Sequence, residues 1–287
     1  VTSVPSFTFP NTDLQTAYQN INTPKSTCGL GLYAYNADIA VAAVNHSNYI
    51  AANVVAHPDA LSHTETSSYL DYTGVTPSDR LSYAGYGNFP AGEVIGHSEV
   101  SASPATDAVA SLFGTVYHMT IMMDSGSFDI GIGAAATQVE GTTFVTIDTG
   151  NKLNYYQDIG PSDLATYPCG GQAISLQYQS NTSDETPNPL PGHNYSANPV
   201  GQPILVAIQH GRTIAISSMT LTAANGTTIS AAAILTGTND PNKELELNQA
   251  VFIPSAPLTV GTSYTVVVNG TNDGVAFSRT FTFSTTA

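Results

Sequence analysis

Apolar side chains at Leu14, Ala17, Tyr18 and Ile21 recur with the 3.6-residue period of a helix, and Thr12 with Gln15 three residues on has the form of a capping box. The pattern predicts a helix over about 13–22. After the turn Cys28-Gly29-Leu30-Gly31, Asn36 stands where an N-cap is needed. Ile39, Ala40, Ala43, Val44, Ser47, Ile50, Ala51 and Val54 then hold the same period as far as His57-Pro58, giving the longest predicted helix. Residues 58–102 are rich in Ser, Thr, Gly and Pro and keep no clean period. That is longer than a connection needs, and irregular segments of this size often carry sites. Ser103 as cap, Pro104 in the first turn and the stripe Val109, Leu112, Phe113, Val116 predict a third helix ending around 118–123. Residues 130–133, 142–148 and 173–179 read as strands, so the first part of the chain mixes helix and sheet.

The pattern changes after residue 180. Residues 181–203 are Asn, Ser, Thr, Asp and Pro, with the alternating prolines of Pro187, Pro189 and Pro191 favouring stiff extended backbone; they read as a linker. From 204 onward there are only short β runs, at 204–208, 214–222, 228–235, 250–253, 264–268 and 277–283, separated by turns such as Asn225-Gly226 and Asp273-Gly274. The alternation Tyr264, Val266, Val268 and Phe277, Arg279, Phe281, Phe283 turns one face of each strand inward. An immunoglobulin-like β-sandwich is expected here. The expected domains are therefore 1–180, a linker at 181–203, and 204–287.

Composition narrows the function. Of 287 residues, 21 are acidic and 6 basic, a net charge of −15. Phosphate backbones are bound largely through Lys and Arg, so nucleic acid is excluded as a partner, and anionic membrane surfaces are disfavoured for the same reason. The longest apolar run, 39–44, is far short of the ~20 residues a transmembrane helix requires. No basic and apolar leader opens the chain, and a signal peptide is expected to have been removed. Scarce Lys and two distant cysteines, Cys28 and Cys169, fit an exported protein with one disulfide, located outside the cell or in the periplasm.

Residues 1–180 hold fifteen acids against Lys25, Arg80 and Lys152, and five of the seven His (His46, His57, His63, His97, His118). A negative surface concentrates cations, so metal binding is worth asking about. Yet there is no His-Glu-x-x-His, Cys-x-x-Cys or calcium loop, and no nucleophile elbow or phosphate loop. Gly131-Ile132-Gly133 is an isolated Gly-x-Gly in a strand, and Asp124-Ser125-Gly126-Ser127 reads as a turn.

Taken in order, several pieces resemble the bacterial branch of the CAP superfamily, the cysteine-rich secretory, antigen 5 and pathogenesis-related 1 proteins. They are Cys28-Gly29-Leu30, Ala42-Ala43, His46-Ser47-Asn48-Tyr49, His63-Thr64-Glu65, Asp79-Arg80 leading to Gly85-Tyr86, Gly92-Glu93-Val94-Ile95, Tyr117-His118 and Ile130-Gly131-Ile132-Gly133. The resemblance covers residues 11 to about 150. It implies an α-β-α sandwich, so the whole chain is expected to be α+β, a CAP-type domain followed by the immunoglobulin-like sandwich. It also implies a cleft where His63, Glu93 and His118 converge; the family's helical acid is missing between Ser111 and Val116, and Glu65 reads as an exposed loop acid or, alternatively, as a substitute carboxylate in the cleft. His63 and His118 would hold a divalent metal, zinc being the best match to imidazole. The family shares no single reaction. The leading expectation is a secreted binding protein for a lipid, small ligand or protein partner, with a metal-dependent or His/Glu-assisted hydrolase and a cell-surface adhesion protein as alternatives.

Overall fold

Asn36 ends an extended segment with φ −120° and turns its side-chain oxygen to the backbone N–H groups of Asp38 and Ile39, starting helix α2 (Ala37–Asn53) as expected. The computed structural model describes residues 2–87, 89–137, 141–151, 157–175 and 185–287, without the side chains of 89–91. It is a mixed α/β chain, with three sheets among the described residues. Two compact units emerge: one is 1–23, 31–110 and 126–157, the other 24–30, 111–125 and 158–287.

The first helix, α1 (Thr12–Thr27), begins at its expected cap, one residue earlier than expected, and runs five residues further. Asn11, not Thr12, accepts from the N–H of Leu14, and so replaces the expected capping box. In the first unit, strands β1 (Ala34–Tyr35), β2 (Phe89–Ser98), β3 (Asp129–Ala136) and β4 (Thr143–Asn151) form one sheet in the order β1-β3-β4-β2, parallel only between β1 and β3. Helix α2 lies against β3 and β4. Gly131 and Gly133 explain that closeness: a Cβ at either would come 2.2 Å from backbone atoms of α2, at Ala40 and at Ala43-Val44. The Gly-x-Gly is thus a packing feature.

The segment expected to be irregular contains a 3-10 turn (Pro58–Ala60), helix α3 (Pro77–Tyr83) and strand β2. Thr76 and Asp79 form a reciprocal capping box with Pro77 in the first turn of α3. The third expected helix is two, α4 (Pro104–Phe113) and α5 (Val116–Met122), broken at Gly114-Thr115. Its start is capped from a distance, because Asp13 accepts from the N–H groups of Ala105 and Thr106.

In the second unit, β5 (Ala165–Tyr167), β7 (Ile204–Ala207), β10 (Ala231–Thr236) and β11 (Gln249–Pro254) form an antiparallel sheet ordered β10-β11-β7-β5. Strands β6 (Ala173–Ser175), β8 (Ile214–Ala223), β9 (Thr228–Ile229), β12 (Ser263–Asn272) and β13 (Val275–Thr286) form the other, ordered β6-β13-β12-β8-β9, with β6 parallel to β13. Strand β8 meets β10 and β11 across the two sheets. Tyr264, Val266, Val268, Phe281 and Phe283 are buried as the alternation predicts, but Phe277 is half-buried and Arg279 exposed.

These units do not follow the expected boundaries. Residues 165–175, placed in the first domain by the sequence, supply strands to both sheets of the second unit. The described part of the expected linker is packed. Glu185, Tyr195, Val200 and Gln202 are buried, and the Gln202 side-chain amide donates to the carbonyl of Phe113 at 2.6 Å. Buried polar groups with specific acceptors hold a segment in place in a way a solvated spacer cannot. Of the strand expected at 173–179, residues 176–179 lie outside the described residues.

Cys28 and Cys169 form the expected disulfide across 141 residues of sequence. Among the described residues no helix is long and apolar enough to cross a membrane.

Candidate functional site

Helix α2, the loop after it, α3, β2 and β4 each bring one ionisable side chain to a common interior point of the first unit. His46 comes from α2, Glu65 from the loop, Arg80 from α3, Glu93 from β2 and Asp148 from β4, and all five are buried. His63, from the same loop as Glu65, is the member that meets solvent, with 47% of its side chain exposed.

The contacts form a chain. Nδ1 of His63 stands 2.8 Å from Oε1 of Glu93. The other Glu93 oxygen accepts from Nη2 of Arg80 at 2.5 Å, and the Arg80 guanidinium also donates to the carbonyl oxygen of His63. One arginine therefore fixes both the backbone of His63 and the carboxylate that holds its ring. Glu65 accepts from the N–H groups of Thr73 and Gly74 through Oε2, while Oε1 lies 2.9 Å from Nδ1 of His46 and 3.7 Å from Nε of Arg80. His46 reaches the carbonyl of Ser62 through Nε2, so both its ring nitrogens face oxygens, and its ring stacks on Tyr49.

Electrostatics separate the two carboxyl groups opposed on the β2/β4 ladder, Glu93 and Asp148. Burial alone would raise Glu93, but the hydrogen bond from His63 and the charges of His46, Arg80 and His63 outweigh it and hold Glu93 at about 2. Burial and then the Glu93 charge push Asp148 well above the usual carboxylate range. Burial and the neighbouring charge thus favour the protonated form of Asp148, whose two oxygens meet no hydrogen-bond donor.

The sequence-predicted residues are distributed as follows. His63 and Glu93 meet directly. Glu65 is joined to them through His46 and Arg80 and is buried, not an exposed loop acid. His118 belongs to the second unit, in the first turn of α5, where Nδ1 lies 2.8 Å from Oγ1 of Thr115 and 3.4 Å from Oε1 of Glu185. Glu185 also accepts from the N–H groups of Val116, Tyr117 and His118, and burial pushes it up to about 7 against those bonds. His46 and Asp148 were not read as site residues. The His-x₁₆-His spacing of His46 and His63 carries no local signal, and Asp148 looks like an ordinary strand end.

Around His63 the cluster leaves one ring nitrogen, Nε2, as a donor for a metal ion. Both oxygens of Glu93 and Nδ1 of His63 are already engaged, and the guanidinium against the same carboxylate opposes a second cation. Among the described residues no group of three or more His, Cys, Asp or Glu side chains is arranged to hold one.

The second unit places Ser125, His210 and two aspartates together. Oγ of Ser125 is 3.5 Å from Nδ1 of His210, and Nε2 of His210 is 2.6 Å from Asp124. The parts of a nucleophilic triad are present with the wrong roles. Ser125 donates to Asp158 at 2.8 Å, and although burial lowers His210, hydrogen bonds and charges from Asp124 and Asp158 raise it to about 9. A protonated imidazole cannot take the serine proton.

No protein-family model matches the chain, and no curated protein matches it. Among solved structures it is similar to an extracellular protein containing an SCP domain from Bacillus anthracis str. Ames, at 18% identity and a TM-score of 0.38 over 52% of this chain and 45% of that one. It is also similar to an outer surface protein from Borrelia burgdorferi, at 13% identity and a TM-score of 0.38 over 50% of this chain and 97% of that one. The chain spans less than half the length of the Bacillus protein.

Proposed function

We propose that this is a secreted, CAP-type binding protein with an immunoglobulin-like second part, and that the first unit binds an amphiphilic ligand at His63. The observation that carries the reading is the single exposed ring in an otherwise buried ionic cluster. Its Nδ1 is held by Glu93, which leaves Nε2 directed away from the cluster for a ligand hydroxyl or carboxyl. The loop that carries it also exposes Leu61, Leu70, Tyr72 and Val75. Apolar side chains and one oriented polar group, carried here on one loop, are the components from which small-ligand sites are built. A disulfide supports export to an oxidising compartment.

A carboxylate-oriented histidine also resembles a general base. The cluster, however, directs Arg80 at its own Glu93 and at a backbone carbonyl, leaving no described cation for a developing oxyanion. Binding without turnover is therefore the reading adopted. Its test is native mass spectrometry of the full chain with palmitic acid, 1-palmitoylglycerol and a sterol. The expected outcome is a one-to-one complex with at least one of them that His63→Ala and Leu70→Asp both weaken at an unchanged melting temperature. Loss of none of the binding in either variant, or a hydrolytic rate on ester, peptide or glycan substrates that disappears in Glu93→Gln, overturns it.

A further inference from the structure

Strand β13 has one edge that is only partly used. It pairs with β12 along Val275–Ser284, and β6 joins its other side only at Ser284–Thr286. Beyond β6, the carbonyl of Thr282 accepts from the N–H of Gly171. In an antiparallel ladder the N–H and C=O of one residue point the same way and alternate along the strand. The outward groups are therefore those of the even-numbered residues, and the β12–β13 register is continuous. Ala276, Ser278 and Thr280 present their N–H and C=O groups outward, and among the described residues no strand pairs with them.

Two adjoining hollows of about 430 and 360 Å³ lie along this edge and share Ser162, Asp163, Leu164 and Phe277. Arg212 lines one and Arg279 the other. Only six residues of the chain are basic. Arg80 is buried in the cluster above, and Arg212 is paired with Asp273 at 3.1 Å. Arg279 is exposed, and the structure gives it no ion-pair partner among the described residues.

We propose that this edge binds an extended acidic peptide segment of another protein, which adds as a strand beside β13. Main-chain bonds to Ser278 and Thr280 would supply register, as in other cases of strand addition. Phe277 and Arg279 are two residues apart and so lie on one face of β13. The added strand must match them with an apolar residue and a carboxylate separated by one residue. A second copy of this chain is disfavoured. Two-fold pairing about Ser278 would set each Arg279 opposite the Phe277 of the other copy and give neither arginine a carboxylate.

The test uses the full chain and a fluorescein-labelled, end-blocked peptide, Thr-Val-Thr-Asp-Thr-Val-Thr, read by polarisation. Saturable binding is expected, with Arg279→Glu weakening it at least tenfold and the Asp→Lys peptide failing to bind. Ser278→Pro removes an outward N–H from an edge strand, where proline is tolerated, and is expected to abolish binding at an unchanged melting temperature. Should that variant unfold, slowed hydrogen exchange of the Ser278 and Thr280 amides on adding peptide takes its place as the expected result. Absence of saturation up to about 1 mM, the weak end of useful recognition, overturns the proposal. So does binding that neither variant alters, or a concentration-dependent dimer of the chain that protects the same amides.

Discussion

Glu93 and Asp148 are opposed on the same rung of the β2/β4 ladder and are shifted in opposite directions, Glu93 down to about 2 and Asp148 well above the usual carboxylate range. The difference comes from position. Glu93 reaches both His63 and Arg80, whereas neither oxygen of Asp148 meets a hydrogen-bond donor. Charge is favoured on Glu93, which His63 and Arg80 face, and disfavoured on Asp148, which no donor faces.

Arg80→Met is accordingly expected to destabilise the protein by about 3–5 kcal/mol, because it strands the buried carboxylates of Glu93 and Glu65. Urea denaturation of the variant at pH 7 measures it. A loss below 1 kcal/mol would show that the guanidinium is dispensable to the cluster.

How much of this cluster could be read from sequence depends on the distance its contacts cover. Asn36, Thr76 with Asp79, and the alternation in β12 act within a few residues, and even the capping box of α3, although missed, is written in Thr76-Pro77-Ser78-Asp79. The cap on α4 comes from Asp13, some ninety residues away, and no local window contains it. Likewise Gly131 and Gly133 look uninformative until α2 is seen against them. His63 and Glu93 were legible only as pieces of a family resemblance, and the linker failed as an expectation because composition says nothing of where Glu185 and Gln202 find their partners.

Gly133→Val is expected to cost ~3 kcal/mol or more, since the new side chain would collide with α2 backbone that cannot move aside as a side-chain tip can. Thermal unfolding would report a melting temperature lower by several degrees. The equivalent change at Gly226, in an open turn with φ +85°, should cost less.

His210 carries a pH dependence of known sign. Its folded value is raised from 6.5 to about 9. The stabilisation is complete below about 6.5 and is lost as pH rises through about 9, up to ~3 kcal/mol. Lys25, which burial lowers to about 8, contributes a slope of the opposite sign in the upper part of that range. The quantity to measure is therefore the stability difference between wild type and His210→Gln in denaturant titrations from pH 6 to 10. It should shrink toward high pH; a constant difference contradicts the assignment.

Reduction of Cys28–Cys169 opens a loop of 141 residues and should lower stability by as much as about 5 kcal/mol on chain entropy alone. Cys28→Ala with Cys169→Ala, compared with the oxidised protein in guanidinium, gives the number. No difference would mean that the unfolded chain is already constrained by other means.

A fragment beginning at Val200 lacks β5 and β6 and leaves β7 as an open edge of its sheet. It is expected to melt below a fragment beginning at Asp158, or to self-associate through that edge. Equal melting temperatures and monomeric behaviour would show that residues 165–175 add nothing to the sheets.

Because Arg80 holds both the carbonyl of His63 and the carboxylate that orients its ring, the anchor does not depend on the exposed side chains around it. Leu61, Leu70, Tyr72 and Val75 can be exchanged without loosening the imidazole. Under the proposed function, anchoring and ligand choice are thus separable properties of the same loop, and a lineage carrying this cluster would be free to change what it captures while keeping how it holds on.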